Sequence, residues 1–259
     1  MAKTVFASFN QGTIPTIACF DLAVTPLGVD LEVLVEAMQA YVEQFVAPVW
    51  GTPAKLVKST GPLASAWGMV FLDNADVAGA LAYHDLNPDG LPLAKVFVET
   101  TLKNGDQISV SASHELVEML VDPAINMYTS GPDPKLMYAY ESADPVEELS
   151  FPVNDIPMSD FVYPAYFESF RKPGSVQFDQ MNQVTKPFQI LKGGYQILFK
   201  NGKTSEVYGS TAKRRRFAKE DRRGHRSEVR SQRLKRATPK MIERLAARIQ
   251  RERKLRAGA

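Results

Sequence analysis

His114, Glu115, Glu118 and Asp122 fall close together in ISVSASHELVEMLVDP, one imidazole and three carboxyl groups set among leucines and valines. On an α-helix, at about 100° per residue, His114, Glu118 and Asp122 share about 80° of arc, and Leu116, Val117, Leu120 and Val121 fall on the other side. Nitrogen and carboxylate oxygen one helical turn apart are donors suited to a divalent cation. The order is H-E-x-x-E, a variant of H-E-x-x-H, in which two histidines hold zinc and the intervening glutamate is a general base towards water. Glu118 in the second ligand position keeps a donor but makes the set harder and more anionic, so zinc is expected, with calcium or manganese competing. Glu115 occupies the position of the base. The alternative is an ordinary solvated helix face.

A further ligand must come from outside this helix. YESADPVE, about twenty residues downstream, offers Glu141 and Asp144. Glu141 is the expected third ligand, and Asp144 and Asp122 are expected to support the ligands by orienting them. His84, in AYHDLNPDG, could bind metal or stabilise an oxyanion, but a lone histidine beside a turn is more often structural. Tyr163 and Tyr166, among Phe161, Pro164 and Phe167, are expected to pack rather than polarise a carbonyl.

The elements around these residues can be read from periodicity. DLEVLVEAMQAYVEQFVAPVWG places Leu31, Leu34, Val35, Met38, Tyr41, Val42 and Phe45 at three- and four-residue spacing, which predicts a core helix ended by Pro48 and Gly51. AKLVKST, AWGMVFLD and LAKVFVET read as strands, with the turn-rich DLNPDGLP before the last. Ser111 or Ser113 is the expected N-cap of the His114 helix, and Pro123 its end. Beyond it, SGPDPK, SADPVEELSFPVNDIPMSD and YPAYF predict an irregular, proline-punctuated segment wrapped on a core. PFQILKGGYQILFKNGKTSEVYG predicts a β-meander turning at Gly193-Gly194 and Asn201-Gly202.

With 259 residues, 44% of them hydrophobic, the chain can bury a sizeable core. A lone cysteine, Cys19, excludes an internal disulfide and a cysteine-based zinc cluster. No apolar run approaches the roughly 20 residues of a membrane helix, and no signal-peptide core opens the chain, so no membrane association is expected. The net charge of +2 hides a division: residues 211–259 carry 19 basic and 5 acidic side chains, a balance of +14, against −12 for residues 1–210.

Four ordered motifs, AYHDLNPDGLPLAKVFV, SVSASHELVEMLVDP, YESADPVE and SDFVYPAYF, resemble a family of proteins of tailed bacteriophages and some bacteria, itself distantly similar to zincin-type metallopeptidases. The likeness covers roughly residues 25–170. It implies an α+β, zincin-like mixed sheet with a metal-binding helix, His114 and Glu118 as ligands, Glu115 as base, and for phage members a place in the virion after synthesis in the host cytoplasm. In similar sequences a cysteine stands where Ala143 is here, so no chemistry is assigned to that position. Zincin sites also place an edge strand beside the metal helix to hold an extended substrate.

The expected organisation is therefore a body over residues 1–175, the meander over 176–210, an Arg/Lys-rich linker over 211–237 and a basic amphipathic helix over 238–259, with Thr238 as its N-cap. Fourteen arginines against five lysines in the tail favour bidentate contact with phosphate or carboxylate. Arg214, Arg215, Arg216, Arg222 and Arg223 are the contact candidates. The tail's partner is either double-stranded DNA or protein, the latter being other virion subunits or another copy of this chain. Two functions stand open, a virion structural protein that retains the metal-binding fold and an active metal-dependent peptidase-like hydrolase.

Overall fold

The structure is a computed structural model that describes residues 14–76 and 80–210; the basic linker, the terminal helix and the arginine contact candidates lie outside the described residues. The described residues belong to one compact α+β unit. Among them no helix is long and apolar enough to cross a membrane.

A five-stranded mixed sheet forms the base. Strands β1 (Thr16–Asp21), β2 (Lys55–Lys58), β3 (Trp67–Leu72), β4 (Ala82–Leu86) and β5 (Pro92–Phe97) lie in the order β2-β1-β3-β5-β4. All neighbours are parallel except the edge strand β4, which runs antiparallel to β5. The interior parallel strands are enclosed on both faces, so TIACFD and WGMVFL show runs of buried residues rather than alternation. That is why β1 has no period-2 signature and escapes a pattern reading. The β4–β5 turn is set by Asn87, whose side-chain oxygen accepts from Asp89 N and Leu91 N, with Gly90 at φ 80°.

Helices α1 (Leu31–Tyr41) and α4 (Ile108–Val121) cover the sheet, joined in one core by Ile17, Met69, Phe71 and Val96 from the strands and Leu34, Met38, Leu116 and Leu120 from the helices. Asp30 caps α1 by accepting from Glu32 N. The helix does not stop at Pro48. It passes through a π-type turn (Val42–Val46) into α2 (Ala47–Trp50) and ends at Gly51, φ 69°. The wider turn accommodates the proline ring and its missing N–H, which would otherwise break an α-helix there. Gln39 fastens the sheet edge to α1, accepting from Leu56 N at 2.7 Å and donating to Ala54 O at 3.1 Å. A short helix, α3 (Val98–Lys103), leads into α4.

Of α4 only Val110 is not buried, which removes the solvated-face reading. Its N-cap is Gln107, not Ser111 or Ser113. Ser113 works inside the helix: its hydroxyl donates to Ser109 O and accepts from Ser159 N, both at 2.8 Å. That second bond seats the hairpin of β8 (Ser150–Val153) and β9 (Ile156–Ser159) against the helix.

The irregular region contains more pairing than its prolines suggest. Strands β6 (Tyr128–Ser130), β7 (Met137–Ala139), β10 (Tyr195–Lys200) and β11 (Lys203–Tyr208) form a second sheet in the order β11-β10-β7-β6. The expected meander is a hairpin. FQIL, residues 188–191, is not a strand because its backbone donors go to the body: Phe188 N to Tyr166 O at 3.1 Å and Leu191 N to Pro145 O at 3.0 Å. The β10–β11 turn at Asn201-Gly202 forms as expected, both residues at positive φ. Tyr166 packs with Phe167 and Phe188, and Tyr163 donates to Gln180 Oε1 at 2.7 Å.

One buried pair holds the long loops together. Asp160 and Asp179 are both fully enclosed; Asp160 Oδ1 accepts from Phe161 N and Met181 N, and the Asp179 carboxyl from Gln183 N and Val184 N. Burial, and then the facing Asp179, push Asp160 up to about 8 from the ordinary 3.8. The fold therefore binds this proton more tightly than the unfolded chain does. Its stabilisation is complete below about pH 4 and is lost as pH rises towards about 8. Asp160→Asn keeps the acceptor oxygen and supplies a permanent N–H to Asp179. Denaturant titrations across this pH window are expected to show a shallower loss of stability in the variant, and an unchanged slope would contradict the shared proton.

Candidate metal centre

The helix α4 delivers His114, Glu115 and Glu118 to a place enclosed on every side: His114 is 9% exposed, Glu115 4% and Glu118 0%. The turn Asp144–Val146, a single 3₁₀ turn begun by Asp144-Pro145, brings a fully buried Asp144 onto the same spot. His114 Nε2 lies 3.4 Å from Glu118 Oε1 and 3.3 Å from Asp144 Oδ1. An N–H···O hydrogen bond spans roughly 2.7–3.2 Å, whereas two donors at about 2.0–2.1 Å from a tetrahedral ion stand about 3.3 Å apart. The observed separations match the ion better than the hydrogen bond. His114, Glu118 and Asp144 are thus placed to hold a metal ion, each offering a donor atom within 4.8 Å of the others.

The third position differs from expectation. Glu141 is buried and electrostatically felt by Glu118 and Asp122, but it enters neither group of converging donors found among the described residues. Asp144, expected to orient a ligand, takes the place expected for Glu141. The cause is local: the proline turn folds residue 144 back towards α4, and the turn is held there by Ala143 N donating to Glu118 Oε1 at 3.3 Å and by Leu191 N on Pro145 O. Asp122 does end the helix. Its carboxylate accepts from Met127 N at 2.7 Å, and it meets an imidazole through its main-chain carbonyl.

That imidazole is His84, which lies on the edge strand β4 just before the Asn87 turn and is fully buried. Its Nδ1 stands 3.0 Å from Glu115 Oε2 and its Nε2 3.2 Å from Asp122 O. His84, Glu115 and Glu118 form a second group of converging donors. The only sequence signal for it was a histidine in a short segment before a turn, and the strand register that aims it at α4 is a tertiary fact.

Electrostatics follow from the enclosure. Burial works against charge on His114, but the carboxylates of Glu118, Asp144 and Glu115 outweigh it and hold the imidazole well above the ordinary histidine range. Burial, then Asp144, push Glu118 up to about 8 against the opposing pull of His114. Burial likewise raises Asp122, opposed by the backbone N–H groups of Met127 and Asn126.

Comparison with family models, with curated proteins and with solved structures finds no match for this chain. The chemistry of the centre therefore rests on its own geometry.

Three outcomes are expected. Zinc at ~100-fold excess over Kd should stabilise the protein by about 2.7 kcal/mol, raising Tm by roughly 5–11 °C for a domain of this size, and His114→Ala should remove the shift. Ion affinity measured calorimetrically should rise as pH increases through about 8, because Glu118 must give up its proton to bind; an affinity flat across that range would contradict the assignment. Gly194→Ala would drive a methyl into the Pro145 carbonyl. It should cost roughly 1–3 kcal/mol and, by shifting the turn that carries Asp144, weaken ion binding as well.

Proposed function

We propose that this chain is a virion-associated structural protein of a tailed bacteriophage, with a zincin-like metal-binding body and a basic tail that contacts DNA or neighbouring subunits. One observation carries the structural reading: Glu118 and Asp144 are fully buried and His114 nearly so, as in sites where an ion staples a fold rather than meets a substrate. Glu115 supports it too, since its carboxylate is engaged by the buried His84. The mixed sheet with an antiparallel edge strand beside α4 fits the zincin-like resemblance. Zinc is the proposed ion, because an imidazole nitrogen with two carboxylates is a donor set that suits zinc, whereas calcium takes six to eight oxygens.

The 19 basic side chains of residues 211–259, among them Arg214, Arg215, Arg216, Arg222 and Arg223, supply the tail's contacts. Duplex DNA is the first candidate and an acidic surface of another subunit, or of a second copy of this chain, the other. Binding of the full chain to duplex DNA should weaken steeply between about 50 and about 200 mM salt. Salt-independent binding would rule out phosphate contact.

A second reading, a metal-dependent peptidase-like hydrolase, is favoured by the edge strand β4, which could pair with an extended substrate beside α4. The ion would supply Lewis acidity to a scissile carbonyl. Glu115 would take the proton of an attacking water and return it to the leaving amine, with His84 holding the carboxylate in place. Incubation of zinc-loaded protein with unfolded protein substrates separates the two readings. No cleavage above the Glu115→Gln background is expected, and cleavage that Glu115→Gln abolishes would establish the hydrolase.

A further inference from the structure

Glu118 belongs to both groups of converging donors, His114/Glu118/Asp144 and His84/Glu115/Glu118. From this juxtaposition we propose that the protein holds two divalent ions bridged by the Glu118 carboxylate, the second one on His84 and Glu115. The proposal rests on reading the first group as an ion site and extends it.

Three further observations point the same way. Glu118 Oε1 already meets His114 and Ala143 N, but Oε2 is fully enclosed and has no hydrogen-bond partner among the described residues. A buried carboxylate oxygen left in that state is costly, and a second cation satisfies it. The hydrogen inventory of His84 is the next. The Asp122 main-chain carbonyl can only accept, so Nε2 donates to it, and Nδ1, 3.0 Å from Glu115 Oε2, is the nitrogen a cation would take in place of a proton held between the two side chains. An imidazole whose far N–H is fixed on a backbone carbonyl is the usual presentation of a histidine ligand.

The last is charge. Glu115, Glu118, Asp122, Glu141 and Asp144 are all buried around these two histidines. With both imidazoles neutral as ligands, one divalent ion balances two of these five carboxyl groups if they are ionised, and a second ion balances four. Carboxylate charge is costly in a water-poor interior, so a cluster this acidic suits two ions better than one. In a bridged pair the ions stand about 3.5–4 Å apart, a separation a single carboxylate can span. Glu115 then serves as a ligand, in keeping with the structural reading of this chain rather than with a free general base.

The test is stoichiometry on the full chain. Protein stripped with chelator, refilled with Mn(II) and desalted should retain two ions per chain by elemental analysis. His84→Gln and His114→Gln should each retain one. One ion in the wild type that His84→Gln leaves untouched would overturn the second site and spare the first. No ion retained in the wild type after refilling with Mn(II) or with zinc would overturn both. Electron paramagnetic resonance of the refilled wild type needs no variant: a spin-coupled spectrum is expected, and the hyperfine pattern of isolated Mn(II) would refute the bridged pair.

Discussion

A helix that carries an imidazole and carboxyl groups yet has no solvent side sets the terms for everything around it. An ionised carboxylate placed in such surroundings without a partner is penalised by far more than a single packing contact returns. α4 meets the penalty from three directions. Its apolar residues bury Leu116 and Leu120 against the sheet, its serine bonds the β8–β9 hairpin, and its charged residues converge with His84 and Asp144. Protons can neutralise part of this cluster, as the raised Glu118 indicates, and cations can neutralise more of it.

The architecture divides the labour between a regular and an irregular half. The parallel strands and α1 supply the base against which α4 packs, and the edge strand β4 contributes His84 through its register. The loops from residue 140 onward supply Asp144 and then lock it. They are themselves locked by buried polar bonds, the Asp160–Asp179 pair and the carbonyl of Pro145 being the points where several segments meet. Irregular backbone can hold a ligand as firmly as a helix when nearly every turn of it is fastened to something else.

Much of this was legible in the residues. H-E-x-x-E on an amphipathic helix put His114, Glu115 and Glu118 together because helical spacing is local information, and an α+β body followed from the helix and strand periodicities. Four things were not legible. β1 and β4 lack alternation, one because both its faces are covered and the other because it is short. Of the expected helix end, Pro48 and Gly51, Gly51 does end it, but a π-type turn carries the helix through Pro48. The exchange of Asp144 for Glu141 depends on which way a proline turn faces, and the partnership of His84 with Glu115 joins residues 31 positions apart through sheet register. Apart from the turn at Pro48, these lay beyond pattern within a segment, since each is decided between segments.

The close seat of Gly194 against the Asp144-Pro145 turn has a mechanical meaning. Gly194 opens β10, β10 pairs along its length with β11, and β11 is the final strand before residue 210. A pull exerted on the chain past that point therefore enters the body through β11, crosses to β10 and is delivered to the carbonyls beside Asp144. The last described strand and the turn that positions Asp144 are thus mechanically adjacent, with Gly194 and the Leu191 N–Pro145 O bond as the points of contact.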